Sequence, residues 1–335
     1  MSPMSLLFFL FQACEPAAFF DKPTDPNDST EIIFEVPKNT SPRGLGPLLQ
    51  SANVIDSADD FTNFVRLSKQ GSCIKAGKFK LNRALSPSKI IETLCGVPLA
   101  NDKPFTILEG WRIREIDAAL AKEGLIVAGA YKKLAEDPSQ FTAPFTLPSD
   151  TLEGYLYPET YMIDPEKFDP KIFIQRQITL LADTFYTPNK ATIDASKRSF
   201  QDLVIMASLL EREEPKIANR PLVAGILWKR LDEPCPSKNP CTLGCDASSH
   251  YKLADWNDRQ GLLKNLRDKD DPYNTRLREG LPPTAIGSPS IESLKAALNP
   301  EDNGWWYYLH DKSQQIHPAK SLSGHEQNRK QYNVY

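Results

Sequence analysis

An acidic residue stands at the end of a long apolar segment, where a carboxyl could do acid–base chemistry. Residues 203–210 are apolar or small on every face, which predicts a buried helix, and Glu211 follows them directly. On helical spacing Glu211 shares a face with small residues, Ser208 among them, so we expect a partly desolvated carboxyl. Because desolvation disfavours the ionised form, this position predicts a Glu that keeps its proton and works as a general acid.

The acids that follow allow a plainer interpretation. Glu213 and Glu214 are expected to face solvent, and together with Glu211 they could form a solvated helix end. The C-terminal end of a helix disfavours negative charge, so three acids there need an explanation but do not establish a site. Pro215 ends or kinks the helix just after them.

In two other segments polar side chains stand beside Gly and Pro residues that restrict the backbone. Residues 152–161 read Leu-Glu-Gly-Tyr-Leu-Tyr-Pro-Glu-Thr-Tyr, where aromatic rings lie beside acceptor groups. This composition suits carbohydrate, because a sugar has apolar faces and a rim of hydroxyl groups; the alternative is a packed surface turn. Residues 272–289 contain Tyr273, Asn274 and Thr275, followed by Gly and Pro residues that predict an ordered loop.

The composition limits the classes of function. The chain has 335 residues, enough for two or three domains. Lys plus Arg is 40 against 43 for Asp plus Glu, a net charge of -3, so a basic surface for nucleic acid is not indicated. With 40% apolar and 25% charged residues the chain is typical of a globular protein. No run approaches the roughly 20 apolar residues of a spanning helix, which argues against an integral membrane bundle.

The first twenty residues differ from the rest. Residues 6–11 read Leu-Leu-Phe-Phe-Leu-Phe, and no basic residue precedes Lys22. The run is too short to span a bilayer and lacks the positive start of a secretory signal. Three interpretations stay open: the stump of a longer membrane anchor, a short signal ending near Cys14, which would carry a lipid, or a plain apolar terminus. Residues 21–30 are polar and Pro-rich, which predicts a linker.

The remaining chain divides into two predicted domains, residues 31–98 and 99–335. The first shows strand patterns at 31–37 and 74–81 and helix patterns at 45–52, 60–69 and 87–95. The second begins with a strand at 105–108 and an amphipathic helix over 111–124. We therefore expect an α+β fold, in which a small module precedes a larger mixed domain.

The cysteines favour an exported protein. Cys73 and Cys95 lie in the small predicted domain, and in an oxidising compartment they could form a disulfide bond. Three more cysteines lie in one loop, and two of them could form a second disulfide bond. These are Cys235, Cys241 and Cys245. A metal site formed by these three and His250 is the alternative, although its spacing matches no standard zinc knuckle.

The order of the motifs resembles the YceG-like (MltG) family of endolytic lytic transglycosylases of bacterial cell-wall synthesis. The resemblance covers about residues 31–332, and residues 31–98 are similar to the LysM-like module of the family. The segments that carry the resemblance are 152–161, 207–213 (Ala-Ser-Leu-Leu-Glu-Arg-Glu), 273–275 with 280–283 (Gly-Leu-Pro-Pro), 294–300, 306–309 and 317–328. The chain departs from the family pattern at Glu214, where Thr is usual, and at Lys229, where Asn is usual.

The resemblance implies a reaction and a catalytic residue. The substrate would be the β-1,4 bond between N-acetylmuramic acid and N-acetylglucosamine in peptidoglycan. Glu211 occupies the position of the catalytic acid of the family. It would protonate the leaving oxygen and then accept the proton of the muramic C6 hydroxyl, which closes on C1 to give a 1,6-anhydro end. One carboxyl serves both steps, and no metal or organic cofactor is called for.

The resemblance also implies supporting residues. They would line the cleft, contact the substrate or orient Glu211: Glu153, Tyr157, Thr160, Ser208, Asp246, Tyr273, Asn274 and Thr275. The partners would be glycan strands and, beside them, the peptidoglycan synthases (penicillin-binding proteins). The catalytic domain would face the periplasm from the inner membrane, with the N-terminus as its membrane attachment.

Two further functions stay open. A cell-wall-binding or scaffolding protein could keep the fold without turnover. A true glycoside hydrolase would need a second carboxylate beside Glu211, for which Glu153 and Asp246 are the candidates.

Overall fold

The computed structural model describes residues 16–70, 72–99, 101–234, 236 and 242–334. The chain divides into two compact units, Met1–Asp102 and Lys103–Tyr335. Within the described ranges no helix has both the length and the apolar character needed to cross a bilayer. The apolar run at residues 6–11 lies outside the described residues, so its three interpretations stay open.

The first unit has the strand and helix order that the sequence predicts. Strand β1 (Ile32–Val36) pairs antiparallel with β2 (Gly77–Leu81). Helices α1 (Pro42–Ser51) and α2 (Ala58–Ser68) lie between the strands in sequence, and α3 (Pro87–Cys95) follows them. The apolar side chains that alternate along both strands enter one core with those of the helices. Its buried members include Phe34, Val36, Leu45, Leu49, Phe61, Phe79, Leu81 and Ile90.

The disulfide bond predicted in this unit is present. Cys73 precedes β2, Cys95 is the last residue of α3, and their sulfur atoms are bonded. The bond closes a loop of 22 positions. Such a cross-link stabilises a small core by lowering the conformational entropy of the unfolded chain.

The second unit is mostly helical and has its own core. Its two strands, β3 (Lys103–Thr106) and β4 (Thr160–Ile163), pair antiparallel. Its helices are α4 (Ile113–Lys122), α5 (Ala130–Ala135), α6 (Pro170–Leu181), α7 (Thr187–Ala195), α8 (Phe200–Glu213), α9 (Arg220–Asp232), α10 (Asp246–His250), α11 (Arg259–Asn265), α12 (Ile291–Leu298) and α13 (Leu322–Tyr332). A π-helical turn, Ala182–Tyr186, joins α6 to α7. Together the two units confirm the predicted α+β class.

Helix α8 lies at the centre of this unit. The Ser199 side chain caps its start by accepting a hydrogen bond from the backbone N of Asp202 at 3.0 Å. Residues 203–210 are all buried, and α8 packs against α9, α10 and α12. The helix ends at Glu213, two residues before Pro215, as its sequence predicts. A rigid, fully packed helix therefore carries Glu211.

The predicted loop disulfide and metal site fall mostly on residues that the structure does not describe. Cys245 is a buried free thiol, whereas Cys235 and Cys241 lie outside the described residues. Among the described residues no group of three His, Cys, Asp or Glu side chains could hold a metal ion. Both hypotheses for this loop stay predictions.

Candidate active site

Glu211 lies in the last turn of α8 with its side chain only 7% exposed. Arg220 donates to both carboxylate oxygens, from Nη2 to Oε1 at 3.0 Å and from Nη1 to Oε2 at 3.2 Å. Ser290 donates twice to Oε2, from its backbone N at 2.9 Å and from Oγ at 2.5 Å. The predicted burial of the carboxyl is therefore present, and a cation and two donor groups of Ser290 hold it, which the sequence did not indicate.

Arg220 is held as firmly as the carboxylate that it binds. It is the first residue of α9, and its side chain is 6% exposed. Its Nε donates to the carbonyl of Glu214 at 3.0 Å, and Nη1 donates to Ser290 Oγ at 2.8 Å. A buried ion pair is costly unless further hydrogen bonds satisfy its polar atoms, and here they do so. The arrangement joins the end of α8 to the starts of α9 and α12.

The expectation that Glu213 and Glu214 face solvent is wrong. Glu214 is fully buried, and its carboxylate accepts from the backbone N of Lys216 at 2.8 Å and lies 2.9 Å from Nε2 of His310. The carboxylate of Glu213 accepts from the backbone N of Ala247 at 3.2 Å, and burial raises its pKa to about 7. The C-terminal segment around His310 covers this helix end, which helical periodicity cannot reveal.

An open cleft of about 500 Å³ lies beside Ser290. Its walls come from the chain after β3, the chain before β4 and the start of α12. They include Glu109, Tyr157, Glu159, Thr160, Ser290, Ile291 and Glu292. Tyr157 and Thr160, which the resemblance assigned to the cleft, do line it. Ser290 lines the cleft and binds Glu211, so the candidate acid lies one hydrogen bond behind the cleft wall.

Glu109 is a cleft residue that the sequence did not single out. Partial burial raises its pKa, and the negative charges of Glu211 and Glu292 raise it further. A weak signal existed, since Glu109 directly follows the end of a predicted strand and precedes Gly110. The cleft wall therefore contains three carboxyl groups, those of Glu109, Glu159 and Glu292, and the charge of Glu211 acts on Glu109.

Short contacts between backbones fix Glu109 relative to Ser290. The backbone N of Gly110 donates to the carbonyl of Ser288 at 2.6 Å, and the N of Ser288 donates to the carbonyl of Trp111 at 2.7 Å. Gly287 has φ +155°, and a Cβ there would stand 2.5 Å from the carbonyl oxygen of Gly110. Only glycine permits this approach.

The three sequence motifs meet around α8. Gly154, at φ +86°, lies so close to the helix that a Cβ would stand 2.8 Å from Val204 Cγ1 and 2.4 Å from Ala285 Cβ. Ser208 Oγ accepts from the backbone N of Ile286 at 3.0 Å and donates to the carbonyl of Ile205 at 2.7 Å. The motif at 152–161 and the loop at 272–289 are thus both fastened to the helix that bears Glu211.

Ser208 and Tyr273 support the loop. The hydroxyl of Ser208 holds Ile286, while the hydroxyl of Tyr273 lies 2.8 Å from Thr284 Oγ1. Both side chains are buried. Their hydrogen bonds therefore fix the loop that leads to Ser290.

The side chains of Asn274, Thr275 and Asp246 are engaged elsewhere. Asn274 donates its amide to two backbone carbonyls, and Thr275 Oγ1 donates to the carbonyl of Cys245 at 3.0 Å. Asp246 forms a two-point ion pair with Arg276 at 2.5 and 2.8 Å. The contacts of Thr275 and Asp246 brace the start of α10, those of Asn274 brace the chain at the end of α11, and none of them involves Glu211.

Glu153 is buried away from solvent, with 3% exposure. Its carboxyl accepts from the backbone N of Ile113, at the start of α4, at 3.2 Å and from the hydroxyl of Tyr251 at 3.1 Å. Burial raises the pKa of Glu153 to about 8. The residue therefore joins α4 to the segment after α10.

The raised pKa of Glu153 predicts a specific pH dependence of stability. The folded chain keeps this proton up to about pH 8, whereas the unfolded chain loses it near the ordinary glutamate pKa of 4.5. The native state thus binds more protons in this window, so the free energy of unfolding falls as pH rises, by at most about 1.4 kcal/mol per pH unit.

We expect Glu153→Gln to remove this contribution. All five Trp residues lie in the second unit, so urea unfolding followed by Trp fluorescence at pH 5 and pH 8 measures it. From pH 5 to pH 8 the free energy of unfolding of the wild type should fall more than that of the variant. Equal pH slopes for the two proteins would contradict a proton held on Glu153.

The chain is similar to known proteins in sequence and in fold. The YceG-like family profile matches residues 34–331. The chain is 26% identical to the "Endolytic murein transglycosylase" of Bacillus subtilis, over 93% of this chain and 87% of that protein. It is 24% identical to the "Endolytic murein transglycosylase" of Streptococcus pneumoniae D39, over 91% of this chain and 59% of that longer protein.

A solved structure has the same fold. The crystal structure of a putative YceG-like protein from Listeria monocytogenes is similar with a TM-score of 0.58 at 24% identity, over 89% of this chain and 99% of that one. The profile match extends through both units and through every motif described above. The chain therefore belongs to the YceG-like family.

Proposed function

We propose that this chain is an endolytic murein transglycosylase. It cleaves the β-1,4 bond between N-acetylmuramic acid and N-acetylglucosamine within glycan strands and leaves a 1,6-anhydro end. The general activity is supported by the family and by the names of the relatives. The finer statement is supported by one observation: Glu211 is buried and is hydrogen-bonded to Arg220 and to Ser290, and Ser290 lines an open cleft.

In the first step Glu211 acts as the acid. Its proton passes to the glycosidic oxygen while the bond from C1 to that oxygen breaks, and positive charge develops at C1. The carboxylate that remains is stabilised by Arg220 and by the backbone N–H of Ser290. General acid catalysis of this kind contributes about 10²- to 10⁴-fold to a rate.

In the second step the same carboxylate acts as the base. It accepts the proton of the C6 hydroxyl while O6 bonds to C1 of the same sugar, which gives the anhydro ring and restores the protonated acid. A hydrolase instead needs a second carboxylate to activate water or to attack C1. The two candidates that the sequence offered are engaged elsewhere, since Glu153 is held by Ile113 and Tyr251, and Asp246 by Arg276. Other carboxyl groups line the cleft, so the products distinguish the two reactions.

The proposal extends to the setting of the reaction. Residues 31–98, whose compact core is closed by the Cys73–Cys95 bond, serve as a LysM-like module that binds glycan. The protein acts from the inner membrane on the periplasmic side, beside peptidoglycan synthases, and limits the length of nascent strands. The disulfide bond supports an oxidising compartment.

Product analysis tests the proposal. Purified, uncrosslinked glycan strands are incubated with the protein in H₂¹⁸O, and the fragments are analysed by mass spectrometry. We expect internal fragments with anhydro ends and no incorporated ¹⁸O. Reducing ends that carry ¹⁸O would show a hydrolase, and strands that are bound but uncut would show a binding protein; either result would overturn the proposal.

A further inference from the structure

Arg220 stabilises the carboxylate in the proposed first step, and its contacts also distinguish the two oxygens of Glu211. We propose that Arg220 is a positioning residue that, with Ser290, holds Oε2 of Glu211 as a fixed acceptor and leaves Oε1 to exchange the proton in both steps. The inference rests on the proposed function, because it assigns a part within that reaction.

The hydrogen bonds to the carboxylate are unequal. Oε2 accepts from Arg220 Nη1 at 3.2 Å, from Ser290 N at 2.9 Å and from Ser290 Oγ at 2.5 Å. Among the residues that the structure describes, only Arg220 donates to Oε1, from Nη2 at 3.0 Å. A carboxylate oxygen offers about two lone-pair sites, so Oε2 is saturated and Oε1 keeps one site for a proton.

The donors are fixed independently of Glu211. Arg220 is anchored through Nε to the carbonyl of Glu214, and Ser290 Oγ accepts from Arg220 Nη1 and from the backbone N of Ser293. The single hydroxyl proton of Ser290 is therefore directed at Oε2. Because these groups are set before the substrate binds, they need little reorganisation when the charge on Glu211 changes.

The charge of Arg220 matches the charge that the reaction creates. When Oε1 gives its proton to the glycosidic oxygen, a negative charge appears on a carboxylate already facing the guanidinium and the N-terminus of α12. When Oε1 takes the proton of the C6 hydroxyl, that charge disappears. Arg220 keeps its own proton throughout, since a guanidinium stays charged in proteins.

Other charged groups act on Glu211 as well. Glu109, from the chain after β3, and Glu292, from α12, lie along the same cleft and bring further negative charge near Glu211. Arg212, on α8 itself, interacts with Glu211 in the opposite sense. Arg220 is the cation that the structure shows bonded to the carboxylate, so its removal leaves the acidic neighbours largely unopposed.

The test compares Arg220→Gln and Arg220→Lys with the wild type, by measuring kcat and KM for cleavage of uncrosslinked strands from pH 4 to pH 9. In Arg220→Gln we expect kcat to fall by about 10²-fold with KM nearly unchanged, because the interaction stabilises charge in the transition state. The alkaline limb of the kcat profile should move upward, because the variant no longer places a positive charge against the carboxylate.

Arg220→Lys should return the alkaline limb towards its wild-type position without restoring kcat. A lysine supplies the charge but not the two parallel hydrogen bonds of a guanidinium. If Arg220→Gln does not fold, Arg220→Lys alone tests the proposal. A low kcat together with a near wild-type pH profile is expected only if the charge of residue 220 sets the pH profile and its two hydrogen bonds set kcat. A wild-type kcat in Arg220→Lys would overturn the proposal.

Arg230→Gln is the matched control. Arg230 also lies on α9 and binds the backbone carbonyls of Trp306 and Leu243, without a contact to Glu211. Its loss should lower stability and leave the pH profile in place. If the wild type produces anhydro ends while a folded Arg220→Gln keeps the wild-type profile, the role of Arg220 fails alone. If the wild type cuts no strands, the proposed function fails instead.

Discussion

Replacing Glu211 by Gln is expected to lower the rate of strand cleavage by about 10³-fold or more. The amide keeps the size of the side chain but gives no proton to the leaving oxygen and accepts none from the C6 hydroxyl. It also places a neutral group against Arg220 and Ser290, where the structure holds a carboxylate. The appearance of anhydro ends, measured by mass spectrometry over a time course, reports the rate.

Glu213→Gln is the control for this prediction. It makes the same chemical change two positions along α8, on a carboxyl that accepts from the backbone N of Ala247. Because burial already raises the pKa of Glu213 to about 7, a neutral amide resembles one of its native forms, and we expect activity within about threefold of the wild type. Full activity of Glu211→Gln would mean that another group is the acid.

Gly154→Ala is expected to destabilise the second unit by about 3–5 kcal/mol. The backbone at Gly154 has φ +86°, and the added Cβ would stand 2.4 Å from Ala285 Cβ and 2.8 Å from Val204 Cγ1. Neither neighbour is the mobile end of a long side chain. The motif must therefore move away from α8, which should also lower cleavage activity.

Gly124→Ala separates backbone strain from the steric clash. Gly124 has φ +72°, but a Cβ there would meet nothing within 4 Å, so we expect a cost of about 1 kcal/mol. Urea unfolding followed by Trp fluorescence measures both variants in the same unit. Equal losses for the two variants would show that the packing of residue 154 against α8 is not tight.

Local chemistry made much of the fold predictable. The Pro at position 87 and the Gly at position 96 bound α3 at Pro87–Cys95, and Pro215 follows the end of α8 closely. Alternation along β1 and the apolar run of α8 indicated which faces are buried. These features depend on neighbours within a few positions, which a single sequence shows directly.

The partners of Glu211 could not be predicted in the same way. Arg220 lies nine positions later, beyond a turn that breaks the helical register, and Ser290 lies 79 positions later. The burial of Glu214 was missed for the same reason, since its partner His310 is 96 positions away. Such contacts arise from tertiary packing, and spacing along one helix carries no information about them.

The hydroxyl of Ser208, bonded to the backbone N of Ile286, has a consequence for the order of folding. This contact and the one between Glu211 and Ser290 span 78 and 79 positions, whereas the hydrogen bonds of α8 are local. Long loops close late, so we expect α8 to form well before its carboxyl acquires its partners. A nascent chain would then carry Glu211 on a finished helix before Ser290 has been placed beside it. An enzyme that cuts the cell wall would thus gain its activity only when the last third of its chain has been made and has packed.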